Sequence, residues 1–248
     1  MNKFIYFLKD RFSLVRDMEK EKKIVDEICK GVEFRGINVW VLVFAIMVAS
    51  VGLNMNSTAV IIGAMLISPL MGPIMSVGLG VGIMDVDLIK KSAKNLGVMV
   101  AISVVTSALY FLISPLREAQ SELLSRTTPT TWDVLIGFFG GSAGIVATAS
   151  KERGNVIPGV AIATALMPPL CTTGYWLANW DEKYFFGALY LFSINTVFIC
   201  FSTLLVVRYL RFREVDFISP EAKRRIKNII TTVVILTVIH QFEGIQRG

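Results

Sequence analysis

The chain has 248 residues, 54% of them hydrophobic and only 18% charged, with a formal net charge of +6 and a mean hydropathy of +0.61. Soluble domains run at ~45–50% hydrophobic on a similar count, so the composition excludes a soluble enzyme, a coiled coil and a disordered tail. It points to a polytopic membrane protein.

Residues 1–37 form a charged leading segment whose first apolar stretch, Phe4–Leu8, is too short for a secretory signal. Phe4, Leu8, Phe12 and Val15 share one helical face ringed by Lys3, Lys9, Arg11 and Arg16. That suits a helix lying in the headgroup region or one packed on neighbouring loops. Asp17–Cys29, dense in Glu and Lys, reads as a second helix with a solvated face.

No Asp, Glu, Lys or Arg occurs from Ile37 to Met84, and further uncharged runs cover 95–116, 134–150, 154–180, 184–207 and 228–242. A helix needs about 20 apolar residues to span the hydrocarbon core. The alternation of a transmembrane barrel is absent. The runs predict six transmembrane helices, at 38–55, 58–83, 95–115, 132–150, 156–178 and 185–207, within a membrane domain over 38–210. Residues 211–248 read as a linker followed by the start of a partial or truncated seventh helix, opened by Ser219-Pro220-Glu221. The ending resembles a cut more than a domain edge.

With a cytoplasmic N-terminus, 21 of the 25 Lys and Arg residues fall on one side and four on the other, as the positive-inside rule requires. The basic residues are dispersed over loops without a nucleic-acid motif, so the positive charge reports topology and no nucleic-acid partner is expected. Cys29, Cys171 and Cys200 have no CxxC spacing, and His240 stands without a ligand cluster. Neither a metal site nor a cofactor is expected, and no motif for covalent catalysis is present.

The chain can be laid on itself as two three-helix repeats, 38–115 and 132–207. Trp40, Ser50 and Gly52 match Trp132, Ser142 and Gly144. Val60, Leu66 and Pro69 match Val160, Leu166 and Pro169, and Gly97, Ser103 and Thr106 match Gly187, Ser193 and Thr196. An odd helix count inserts consecutive repeats upside down, so the expected fold is all-α with two inverted repeats. Ser68-Pro69-Leu70-Met71-Gly72-Pro73 and Thr164-Ala165-Leu166-Met167-Pro168-Pro169 occupy corresponding second helices. Mid-helix prolines free backbone groups. The two segments are either ordinary kinks or paired breaks lining a solute or ion path.

The stretches Asn54–Pro73 and Ile157–Leu170 resemble a bacterial hydrophobic membrane-protein family, domain of unknown function 389, over roughly 36–227. The resemblance implies a multi-pass protein of the bacterial inner membrane and supplies no activity or substrate.

Near helix centres the polar groups are neutral: Ser68, Thr164, Cys171, Thr172, Thr173, Ser193, Asn195 and Thr196. Asn195 is read either as an interhelical hydrogen bond or as a path contact. The candidate path comprises Ser68, Pro69, Gly72, Pro73, Thr164, Pro168, Pro169 and Asn195. Gly78/Gly82, Gly137/Gly141 and Gly140/Gly144 have small-xxx-small spacing, which suits close packing and a homo-oligomer. The functional readings are a transporter or channel for a small solute or ion, and a membrane scaffold or signalling component. The lipid bilayer is the partner common to both.

Overall fold

The structure is a computed structural model that describes residues 17–116, 118–151 and 166–215, together with the single positions 11, 224, 228, 231 and 232. Among these residues it is all helical: α1 (Glu21–Lys30), α2 (Ile37–Asn54), α3 (Thr58–Ile67), α4 (Met71–Gly82), α5 (Val86–Ile113), α6 (Ser121–Leu124), α7 (Thr131–Ala149), α8 (Met167–Ala178) and α9 (Glu182–Tyr209). Extended pairing among them is a single antiparallel bridge between Met18 and Ser150. The amphipathic face at Phe4–Val15, the first part of the predicted fifth span and most of the predicted seventh helix lie outside the described residues.

Helices α2, α5, α7 and α9 are each long and apolar enough to cross a membrane, and α3 with α4 forms a bent pair that makes a fifth if the two are taken as one span. A pair bent by 55° is either one broken span or a re-entrant loop, and its length suits a span. At 1.5 Å per residue α3 is ~15 Å long, and α4 adds ~10 Å along the same axis. That comes to ~25 Å before the linker, against a ~30 Å core.

Helix α5 begins nine residues before the predicted 95, because Asp85 caps it by accepting from the Leu88 N–H at 2.9 Å. Lys90, Lys91 and Lys94 therefore ride on helix rather than in a loop. A 28-residue helix is ~42 Å long, so its lysine-bearing turns extend past the hydrocarbon. Helix α1 departs from the expected solvated helix: Ile24, Ile28 and the following Val32 are buried against the bundle.

Hydrogen bonds sort the connections into two ends. Lys151 N–H donates to Asp17 O, Glu19 N–H to Ala149 O and Val215 N–H to Ile83 O. Asn95 Nδ2 donates to Val32 O. These gather the lysine- and arginine-rich segments at one end, called here the basic end. At the other end Ser121 Oγ and Glu122 N–H donate to Asn56 Oδ1, and Thr127 O lies against Gly187.

Two parts of the chain repeat one local design. The pairs α4–α5 and α8–α9 both join a 12-residue helix to a 28-residue helix. Met84 and Trp180 carry the turns at φ 61° and 55°, and Asp85 and Asp181 cap the long helices. Each short helix docks on the other unit's long helix. Gly78 of α4 meets Cys200 and Thr203 of α9, and Gly174 of α8 meets Ser107 and Ala108 of α5. A methyl group on Gly78 would lie 2.6 Å from Cys200 O, so only glycine admits the crossing. Lipid offers no hydrophobic drive for helix association, and such close approaches with interhelical hydrogen bonds supply it. These caps and contacts place Pro73 opposite Pro169 and Met99 opposite Asn195. Counting from the two caps gives a register that differs from the sequence pairings of Pro69 with Pro169 and Gly97 with Gly187.

Candidate functional site

The break between α3 and α4 follows from Pro69. Proline lacks the N–H that would bond Met65 O, and it forces the residue before it out of helical geometry. Ser68 accordingly sits at φ −74°, ψ 130°. Its own N–H reaches Met65 O at 3.3 Å, and its hydroxyl accepts from Leu70 N–H at 3.4 Å. Gly72 and Pro73 fall in the first turn of α4, where a missing N–H is harmless. Pro168 and Pro169 stand likewise in the first turn of α8, and both are buried. They start that helix. Thr164 lies outside the described residues.

The two first turns meet different neighbours. Gly72 lies against Gly31, the residue that ends α1. In α8 the Cys171 carbonyl accepts from Ser107 Oγ at 2.8 Å, and Cys171 Sγ lies 4.0 Å from Ile46 O of α2. Asn195, 3% exposed, sits on α9 beside Gly137 of α7. Its Oδ1 has no hydrogen-bond partner among the described residues.

A polar ladder that the proline-centred reading missed runs between α2 and α5. Ser50 Oγ donates to Ser107 Oγ at 3.1 Å, which donates onward to Cys171 O. One turn outward, Asn54 Nδ2 donates to Tyr110 OH at 3.2 Å and to Ser114 Oγ at 2.6 Å. Beyond it Asn56 and Thr58 bond to Ser121 and Glu122 of α6, with Arg126 paired to Glu122 at 3.5 Å. Ser50, Asn54, Ser107 and Ser114 are buried. The Asn54 Oδ1 and the Ser103 hydroxyl, one turn deeper on α5, are buried without partners among the described residues. The signal was present as Ser50/Asn54 at i, i+4 and Ser103/Ser107/Tyr110/Ser114 at i, i+4, i+7, i+11, two matching helical stripes.

At the basic end a cavity of about 190 Å³ lies between α1, α4 and α7. Gly72 and Met75 of α4, Thr148 of α7, and Glu27, Ile28 and Gly31 of α1 line it. The ladder offers hydroxyls, an amide and a backbone carbonyl, with carboxylates only towards the ends. That set can exchange hydrogen bonds with a polar solute or coordinate a small cation. Among the described residues no cluster of His, Cys, Asp and Glu could hold a metal ion.

A family model described as domain of unknown function 389 matches residues 65–201, more than half of the chain. An uncharacterized protein of Methanocaldococcus jannaschii is 30% identical over 169 residues, covering 68% of this chain and 52% of that protein. The chain thus spans about half the length of this curated relative. The relative is archaeal, whereas the resemblance read in the sequence pointed to bacteria. No solved structure matches.

Proposed function

This chain belongs to the family described as domain of unknown function 389, and we propose that it conducts a small polar solute or ion across a membrane, without covalent catalysis. The carrying observation is the ladder Asn54–Ser114/Tyr110 and Ser50–Ser107–Cys171 O. Polar groups at membrane depth are expensive, and lining a solute pathway is one use that repays them. This row leads inward to the first turn of α8, where Pro168 and Pro169 begin a helix inside the protein. The broken pair at Ser68–Leu70 brings the first turn of α4 to the cavity at the other end, which Met71 and Gly72 line while Pro73 is buried behind them. Asn195 supplies a further amide on α9.

In this reading the six spans form two inverted three-helix units, with the reciprocal docking of α4 on α9 and α8 on α5 as support. The basic end faces the cytoplasm of a plasma membrane, and the protein is a homo-oligomer packed through glycine-bearing faces. Selection rests on hydroxyl and carbonyl dipoles, as in filters built from such oxygens.

Flux into proteoliposomes tests the reading. Potassium, sodium and chloride would be followed with ion-sensitive dyes, and urea and glycerol by vesicle swelling. Flux of at least one probe above protein-free vesicles, lowered by Ser107→Ala, is expected. Absence of flux for all five overturns transport of these classes and leaves the scaffold reading.

A further inference from the structure

We propose that α1 is a hinged gate, built into the chain, that seals the basic-end mouth of the path; this rests on the transport reading above. Four features carry it. Helix α1 presents two unlike faces. Ile24, Ile28 and Val32 are 0–4% exposed against the bundle, while Lys22, Lys23 and Lys30 line the water side, so the helix is soluble when released. It covers a space rather than filling a solid interface: the cavity of about 190 Å³ lies directly beneath Glu27, Ile28 and Gly31. Its contact with the broken span is backbone on backbone, since a Cβ on Gly72 would stand 2.5 Å from Gly31 O. A displacement at the break is therefore passed to α1 without a flexible side chain to absorb it.

The fourth feature is the hinge. Gly36 joins α1 to α2 at φ 55°, ψ −114°, a conformation that side-chain-bearing residues rarely adopt. Nothing lies within 4 Å of the position a Cβ would take there, so the turn itself is unpacked, and a swing of α1 about it must release buried Val32 and break the Asn95 Nδ2 bond to Val32 O at 2.7 Å. The bonds at the far end of α1 include the antiparallel bridge of Met18 with Ser150, Lys151 N–H to Asp17 O and Glu19 N–H to Ala149 O at 2.9 Å each, and Arg213 N–H to Glu21 Oε1 at 2.6 Å. The outer end of the path differs. There Asn54, Ser114 and Tyr110 are locked by mutual hydrogen bonds, which closes that end while α1 caps the other.

The test reads accessibility and needs no transported substrate, so it fails or succeeds independently of the transport reading. Met75→Cys, placed under α1 in a full chain carrying Cys29→Ser, is exposed in proteoliposomes to a membrane-impermeant maleimide on the basic-end side. Labelling should be slow with α1 seated, and at least about tenfold faster after Ile24→Asp with Ile28→Asp, which puts carboxylates where burial holds α1 down. Cys171, 0% exposed, should stay unlabelled in both and so report an intact bundle. A second pair, Met18→Cys with Ser150→Cys, lies directly across the antiparallel bridge, within disulfide reach. Once oxidised in the chain that carries Met75→Cys and Cys29→Ser without the aspartates, it should slow labelling at position 75, and reductant should restore the rate. Equal labelling with and without the aspartates, at an unlabelled Cys171, overturns the gate. So does a disulfide that changes nothing.

Discussion

Replacing Ser107 with alanine removes the middle rung of the ladder and leaves its shape. The Ser107 Cβ, which sits in the crossing with Gly174, is retained, so packing is preserved and only the hydroxyl is lost. Two hydrogen bonds go: the one accepted from Ser50 Oγ at 3.1 Å and the one donated to Cys171 O at 2.8 Å. Interhelical hydrogen bonds in membranes average ~0.6 kcal/mol and reach ~1.7, so the expected loss is about 1.2 kcal/mol and at most about 3.4. The orphaned Ser50 hydroxyl can turn back to the carbonyl one turn earlier on its own helix, which keeps the loss near the lower figure. Reversible unfolding in mixed detergent and sodium dodecyl sulfate micelles, followed by helical circular dichroism, measures it. A double-mutant cycle with Ser50→Ala isolates the shared bond, for which a coupling of about 0.6 kcal/mol is expected. Strict additivity together with a loss under ~0.3 kcal/mol for Ser107→Ala would refute the ladder as a bonded chain.

Gly78→Ala and Gly174→Ala should each destabilise by about 1–3 kcal/mol in the same assay, because each methyl meets backbone or Cβ atoms closer than 3 Å. Gly97→Ala, with nothing within 4 Å, should be neutral or stabilise by up to ~1 kcal/mol. Pro69→Ala should straighten the α3–α4 pair, and the spin-label distance across it should lengthen towards the ~37 Å of a continuous helix from Thr58 to Gly82; an unchanged distance would show that tertiary contacts, not proline, set the bend. Cysteines replacing Lys90, Lys151 or Arg213 should be protected from impermeant reagents in intact cells, and those replacing Arg126 or Lys183 should react; the reverse pattern overturns the orientation. Burial, with the Asp85 and Asp26 carboxylates behind it and Lys91 opposing, holds the Cys29 thiol above its ordinary 9.0. The thiolate is the reactive form, so alkylation at pH 8 should be slower than for free cysteine and should keep rising with pH above 9. Asp26→Asn should shift the profile to lower pH.

The membrane class, the ends of α2 and α7 within a residue or two, and the break at Ser68-Pro69 were all legible in the sequence. Each is a local consequence: uncharged length makes a span, and proline denies a hydrogen bond whatever surrounds it. The charge ledger also anticipated which segments share an end of the bundle, because burying a lysine in lipid costs more than any packing returns. The ladder was not found this way. Ser50, Asn54 and Ser107 are common residues in apolar helices, and only the crossing of α2, α5 and α8 turns them from scattered hydroxyls into one bonded row. The likeness of the capped turns at Asp85 and Asp181 was likewise hidden among valines and leucines that align with one another at many offsets. The fate of α1 was settled furthest from its own sequence. Ile24 and Ile28 mark an apolar face, but whether that face meets water, lipid or protein depends on Gly31 finding Gly72. That meeting of two residues 41 positions apart exists only once α3 and α4 have bent.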